Sequence, residues 1–129
     1  MISVDTNIVV RLLTGDDPLQ FERSKILFST DNIFIPTSVV LECEWVLRYA
    51  YNFKPPEITA AFQSLFGLPN VQLENPPVIS NVIEWHQNGM DFADAIHLAQ
   101  SEEAEAFITF DKSLIKAAQK NTTIPVREP

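Results

Sequence analysis

The sequence has few of the residues that mark secreted or membrane proteins. Its single cysteine, Cys43, cannot form an internal disulfide, which fits a reducing compartment. No apolar run approaches the roughly 18 residues that would span a bilayer. The first residues already have the pattern of a strand, so we expect no secretory leader. These features predict a cytoplasmic protein and most simply a single domain over residues 1–129.

Basic residues are also scarce, with 9 Lys and Arg against 17 Asp and Glu and a formal net charge of −8. This balance argues against broad, non-specific nucleic-acid binding, which usually needs a basic face. The objection weakens if several acids share one cation-binding pocket, because a bound metal reverses the local charge where a phosphate must lie. With three glycines and no glycine-rich loop, a phosphate-cradling motif is excluded. His86 and His97 form no zinc pattern with Cys43.

Short apolar strands alternate with amphipathic helices along the chain. Strands are predicted at residues 2–4 and in the segments IFIP, VQLE, AFITF and IPV. Helices are predicted from the first strand to Gly15, after KPP, and in DDPLQFERSKILF, TSVVLECEWVLRYAY, PPVISNVIEWHQNG, DFADAIHLAQSEEA and KSLIKAAQK. The alternation predicts an α/β sandwich with parallel strands.

Acidic residues fall at four junctions that lead into predicted helices. Asp5 follows the first strand and Asp111 follows AFITF, at the strand ends where α/β folds concentrate function. Asp91 and Asp94 open another helix and, three residues apart, share one flank of it. Glu42 lies near the start of the helix that follows IFIP.

Each of these acids, taken alone, has a structural explanation. Aspartate is a favoured N-cap, and acids in a first turn suit the helix dipole. The segment DFAD resembles a capping box, with Asp91 as the cap and Asp94 answering three residues later. Capping does not predict so many aspartates at comparable ends of neighbouring elements.

The segment TSVVLECEWVLRYAY leaves two questions open. Glu42 and Glu44 flank its main apolar face about equally, so periodicity does not choose between them. A second apolar stripe on the opposite side consists of Leu41, Trp45 and Tyr49. Either another helix of the same domain covers this stripe or it is a self-association surface.

Four segments, SVDTN, SVVLECEWVL, DFADAIHLAQ and ITFDKSL, resemble PIN domains, and especially the VapC toxins of toxin–antitoxin pairs. The similarity extends over nearly the whole chain, although residues 51–88 match only as generic helix. Matched position by position, the acids of the family fall on Asp5, Glu42, Asp94 and Asp111, with Asp91 as a further acid. The match therefore prefers Glu42 to Glu44.

The resemblance implies a three-layer α/β/α sandwich with a mostly parallel sheet of about five strands. It also implies metal-dependent hydrolysis of RNA phosphodiester bonds. The implied partners are a small antitoxin protein and a second copy of the toxin.

Mg²⁺ or Mn²⁺ suits such a site, because hard cations prefer oxygen ligands and retain several waters. We expect Asp5, Asp94 and Asp111 to bind the metal directly or through water, and Glu42 to hold or orient a water. Asp91 is expected to serve a second ion.

Neutral and basic neighbours complete the expected site. We expect Thr6, Asn7 and Thr109 to form hydrogen bonds with the metal-binding carboxylates and to hold them in position. Lys112 and Arg11 are the candidate contacts to RNA phosphates, with Arg48 and Lys116 as further basic residues nearby. Phe92 and Phe110 are expected in the core.

Two other functions fit part of the sequence. A PIN-like fold that binds RNA or protein without cleaving it would keep the same architecture. A phosphatase of the haloacid dehalogenase type also has an aspartate after its first strand, but it needs a second aspartate two residues later, where this chain has Asn7.

Overall fold

Parallel pairing joins every strand of the protein to its neighbour. The structure is a computed structural model that describes residues 1–129, and the chain divides into two compact units, Met1–Pro76 and Pro77–Pro129. None of the helices combines the length and apolar character needed to cross a bilayer.

The N-terminal unit carries a three-stranded parallel sheet. In chain order its elements are β1 (Ile2–Ser3), α1 (Thr6–Thr14), α2 (Pro18–Thr30), β2 (Ile33–Ile35), α3 (Thr37–Tyr51), α4 (Pro55–Phe66) and β3 (Val71–Leu73). The strand order is β1-β2-β3, with Ile2 beside Ile33 and Ile33 beside Val71. Ile33 and Ile35 are buried, as expected of the middle strand of a covered sheet.

The C-terminal unit carries a two-stranded parallel sheet. Its elements are α5 (Pro76–Gln87, which begins at the boundary), α6 (Phe92–Ala99), β4 (Phe107–Ile108), α7 (Lys112–Asn121) and β5 (Val126–Arg127). Phe107 pairs with Val126. The apolar residues of α5 and α6 that are almost fully buried include Ile79, Val82, Phe92, Ala95 and Leu98.

The predicted α/β class and the five parallel strands are confirmed. The strands are distributed over two small sheets, so the single three-layer sandwich and the single domain stay predictions. The predicted helix DFADAIHLAQSEEA is wrong at its end, because α6 stops at Ala99. There the Ser101 hydroxyl donates to the His97 carbonyl at 2.7 Å. In a longer helix, the acids that follow would lie near its negative C-terminal end and would destabilise it. These acids are Glu102, Glu103 and Glu105.

The second apolar stripe of α3 is largely exposed. Trp45 is 55% exposed and Tyr49 is 61% exposed, whereas Leu41 is half-buried. The prediction that another helix of the chain covers the stripe is therefore wrong for Trp45 and Tyr49. Their rings contact each other with centroids 5.2 Å apart.

Gly15 ends α1 with a left-handed backbone at φ +65°, and its N–H donates to the Arg11 carbonyl at 3.0 Å. We predict that Gly15→Ala lowers the free energy of unfolding by about 1–2 kcal/mol, because a side chain is strained in this conformation. Urea denaturation measures the change. Asn52 is also left-handed, at φ 56°, so Asn52→Gly is the control and should cost no stability. Equal stability of Gly15→Ala and the wild type would contradict the strain argument.

Candidate functional site

Asp5 stands where β1 passes into α1. Its Oδ1 accepts the Ile8 N–H at 3.2 Å and caps the helix, while the side chain remains exposed. A carboxylate has two oxygens, so a cap that uses Oδ1 leaves Oδ2 available to a cation. The capping role and the predicted ligand role are thus compatible at this position.

Glu42 is exposed in the second turn of α3, a helix whose start depends on an acid that sequence reasoning missed. The N-cap of α3 is Pro36, which offers no side-chain hydrogen bond. Glu74, directly after β3, supplies the side-chain acceptor instead: its Oε1 accepts the Thr37 N–H at 2.9 Å. Its position at a strand end, like that of Asp5, was the available signal.

Asp5 and Glu42 act electrostatically on the same buried thiol. The Cys43 S–H donates to the Thr6 carbonyl at 3.9 Å, a contact that joins α3 to the start of α1. Burial raises the pKa of Cys43 to about 12, and the negative charges of Glu42 and Asp5 contribute to the increase. The N-terminal unit thus brings these two acids into one electrostatic neighbourhood.

The C-terminal unit gathers three further acids. Asp91 caps α6 by accepting the Asp94 N–H at 3.0 Å, and Asp111 caps α7 by accepting the Leu114 N–H at 3.0 Å. Asp94 makes no return bond to Asp91, so only half of the predicted capping box forms. The pKa of Asp94 is raised by its partial burial first and then by Asp91 and Asp111, against a smaller opposing effect of His97. Asp94 therefore lies within electrostatic reach of both Asp91 and Asp111.

The predicted supporting residues differ in their contacts. The Thr109 hydroxyl accepts the Asp111 N–H at 3.0 Å and so holds the backbone of that acid. Thr6 is buried and contacts the Cys43 thiol through its carbonyl. Asn7 is exposed and lines a cavity together with Asp5.

The predicted phosphate contacts fall into two groups. Arg11 donates to Gln20 Oε1 at 2.7 Å, to Asp16 Oδ1 at 3.0 Å and to Tyr51 Oη at 2.9 Å, so its charge is already matched by an acid. Lys112 is exposed in the first turn of α7 and makes no ion pair.

Glu42 and Glu44 have different environments in the structure. Glu44 is 1% exposed and accepts two bonds from Arg48, at 2.8 and 3.2 Å. The ion pair balances the buried charge of Glu44 with that of Arg48. The Arg48 Cζ atom also lies 4.5 Å from the centroid of the Tyr49 ring. Glu42 is the exposed acid of the two.

The two phenylalanines beside the acids have opposite environments. Phe92 is 1% exposed and contacts His86 edge-on, so its predicted core position is confirmed. The prediction for Phe110 is wrong, because it is 77% exposed. It follows the end of β4, whose last residue, Ile108, is also exposed.

The acids suit a hydrated hard cation. No three histidine, cysteine, aspartate or glutamate side chains converge to enclose an ion directly. Mg²⁺ usually keeps several waters and binds through one or two carboxylates, so these acids offer the kind of oxygen donor that it takes.

A family model, that of the PIN domain, matches residues 2–120, which run through both compact units. The chain belongs to the PIN domain family. PIN domains are generally nucleases and commonly use divalent metal ions. No curated protein matches this PIN domain significantly.

Removing the charge of Glu44 or of Glu42 should show which of the two glutamates of α3 contributes to stability. We predict that Glu44→Gln lowers the free energy of unfolding by about 1–3 kcal/mol, because Arg48 loses its charged partner at a buried position. Glu42→Gln should change it by less than about 0.5 kcal/mol, as at other exposed positions. Urea denaturation of both variants measures the difference. Equal losses would show that burial does not distinguish the two acids.

Proposed function

We propose that this PIN domain is a Mg²⁺- or Mn²⁺-dependent endoribonuclease and the toxin of a toxin–antitoxin pair. The observation that carries the proposal is the position of Asp94, which is half-buried and within electrostatic reach of both Asp91 and Asp111. Helix capping explains Asp91 and Asp111 singly, but placing Asp94 near both costs electrostatic energy that a bound cation would offset, because like charges repel. The activity is proposed for the cytoplasm, where thiols such as Cys43 stay reduced.

Each acid has a distinct proposed role. Asp5, Asp94 and Asp111 hold the metal directly or through water, and Asp91 serves a second ion. When bound, the metal lowers the pKa of a coordinated water and stabilises charge on the phosphate. Glu42 holds a water of the metal or orients the attacking water, and Thr109 holds Asp111 in position through the backbone bond described above. Lys112 contacts a phosphate of the RNA.

Metal binding should stabilise the protein measurably. Mn²⁺ at 100 times its Kd is expected to add about 2.7 kcal/mol to the free energy of unfolding. Asp5→Asn should remove this response and raise the stability of the metal-free protein, because an amide still caps α1 without adding negative charge. Thermal melts with and without Mn²⁺ make the measurement.

Asp17→Asn is the matched control for Asp5→Asn. Asp17 caps α2 in the same way, accepting the Gln20 N–H at 3.0 Å, but it is not one of the five acids. It should keep the full Mn²⁺ response. Loss of the response in both variants would mean that Mn²⁺ binds acids non-specifically.

Cleavage separates the nuclease from the alternative, a PIN-like module that binds RNA or protein without hydrolysis. We predict that the purified protein cleaves structured or single-stranded RNA with Mn²⁺ and not with EDTA. Asp94→Asn should lower kcat/KM by about 100-fold or more, since even residues behind a metal ligand commonly cost 10–100-fold. RNA binding that persists without any metal-dependent cleavage would favour the module.

The proposed partners are a small antitoxin and a second copy of the chain. Support for self-association comes from the exposed aromatic pair on α3, because Trp, Tyr and Arg are enriched in protein interfaces. Trp45 and Tyr49 contact each other, and Arg48 stacks on Tyr49.

Replacing both aromatic residues should disrupt the proposed dimer. We predict that Trp45→Ser with Tyr49→Ser shifts the mass measured by light scattering from dimer to monomer. Leu19→Ser is the control, because Leu19 is 70% exposed on α2, away from the stripe. A wild-type protein that is monomeric at every concentration would refute the dimer.

A further inference from the structure

A cavity of about 460 Å³ lies between α1 and α2, entirely within the N-terminal unit. Asp5 lies on its α1 wall, and its α2 wall includes Gln20, Arg23, Ser24 and Leu27. Asp5, the proposed metal ligand that follows β1, therefore shares this cavity with Arg23, a basic residue that sequence reasoning did not single out.

The two arginines of the cavity differ in how their charge is used. Arg11 is held by Asp16, Gln20 and Tyr51 at 2.7–3.0 Å, which ties the end of α3 to the junction between α1 and α2. Arg23 is exposed at the cavity and makes no hydrogen bond or ion pair. Its planar guanidinium offers five N–H donors in a geometry suited to phosphate.

We propose that this cavity is a subsite for an RNA phosphate next to the scissile one, and that Arg23 binds that phosphate. The inference rests on the proposed function. RNA carries a phosphate at every nucleotide, and Asp5 and Arg23 line the same cavity, so a strand with its scissile phosphate near Asp5 can place a neighbouring phosphate near Arg23. Arg11 is a positioning residue, because its bonds fix the wall from which Gln20 projects.

The other lining groups suit a nucleotide. The side-chain Oε1 of Gln20 accepts the Arg11 Nε–H at 2.7 Å. The side-chain NH₂ group of Gln20 therefore remains to donate to a phosphate or a ribose hydroxyl. Ser24 lines the cavity but is 3% exposed, and Leu27 adds an apolar surface against which a sugar can pack. A chain of net charge −8 needs such a local donor to hold a polyanion.

The test compares Arg23→Gln with Lys25→Gln, which removes the same charge from an exposed residue of α2 outside the cavity. We expect Arg23→Gln to raise KM for single-stranded RNA by about 10-fold or more, as for other hydrogen bonds to charged groups, with kcat unchanged. It should also reduce the salt dependence of log affinity by about 0.7. Lys25→Gln should stay within about twofold of the wild type, and Arg23→Lys should recover part of the affinity.

Uncharged phosphates locate the contact. One methylphosphonate is placed in turn at each position beside the scissile bond. At one position it should weaken binding to the wild type as much as Arg23→Gln does, and it should have no further effect on that variant. Additive losses at every position would overturn the assignment of Arg23 to one phosphate.

Binding measured by fluorescence anisotropy in EDTA makes the subsite independent of cleavage. If the wild type cleaves RNA and Arg23→Gln behaves like Lys25→Gln, the subsite is refuted and the nuclease proposal stands. If the wild type does not cleave, the nuclease proposal fails, and selective loss of RNA affinity in Arg23→Gln still supports the cavity as a phosphate site. Loss of affinity for polyglutamate with unchanged RNA affinity would overturn the proposal in favour of an acidic protein partner.

Discussion

The arrangement of the acids depends on the hydrogen bond between an aspartate oxygen and the first free N–H groups of a helix. Asp5, Asp91 and Asp111 each form this bond at 3.0–3.2 Å. The bond fixes the direction of the carboxylate, and the positive end of the helix dipole offsets part of its charge. The backbone therefore holds negative charge in place before any cation arrives, and the second oxygen stays open for chemistry.

The basic residues are distributed in a way that complements this arrangement. The two ion pairs of the protein use Asp16 and Glu44, not any of the five acids assigned to the site. Arg11 and Arg48 thereby stabilise contacts within and around the helices of the N-terminal unit and do not neutralise the acids. On the same helix, Glu44 is buried in an ion pair, whereas Glu42 is exposed and forms no ion pair.

Much of this structure follows from local sequence patterns. Strand and helix order were predictable because the apolar periodicities of short segments are local, and the aspartate caps of α1, α6 and α7 were predictable because aspartate binds its own helix, whereas Glu74, which comes from a distant segment to hold the start of α3, was missed. The choice of Glu44 for burial and the exposure of Phe110 depend on what packs nearby, so periodicity alone was insufficient. The Arg23 cavity was not predictable, because it exists only where α1 and α2 face each other. The end of α6 was misjudged because alanine and glutamate favour helix, whereas the position of the acids after it does not.

The capping aspartates also have an evolutionary consequence. An aspartate codon becomes an asparagine codon by one base change, and asparagine is as good a cap as aspartate. Mutation can therefore remove charge from Asp5, Asp91 or Asp111 with little penalty in folding. Descendants that lack these charges yet fold normally therefore lie one base change away.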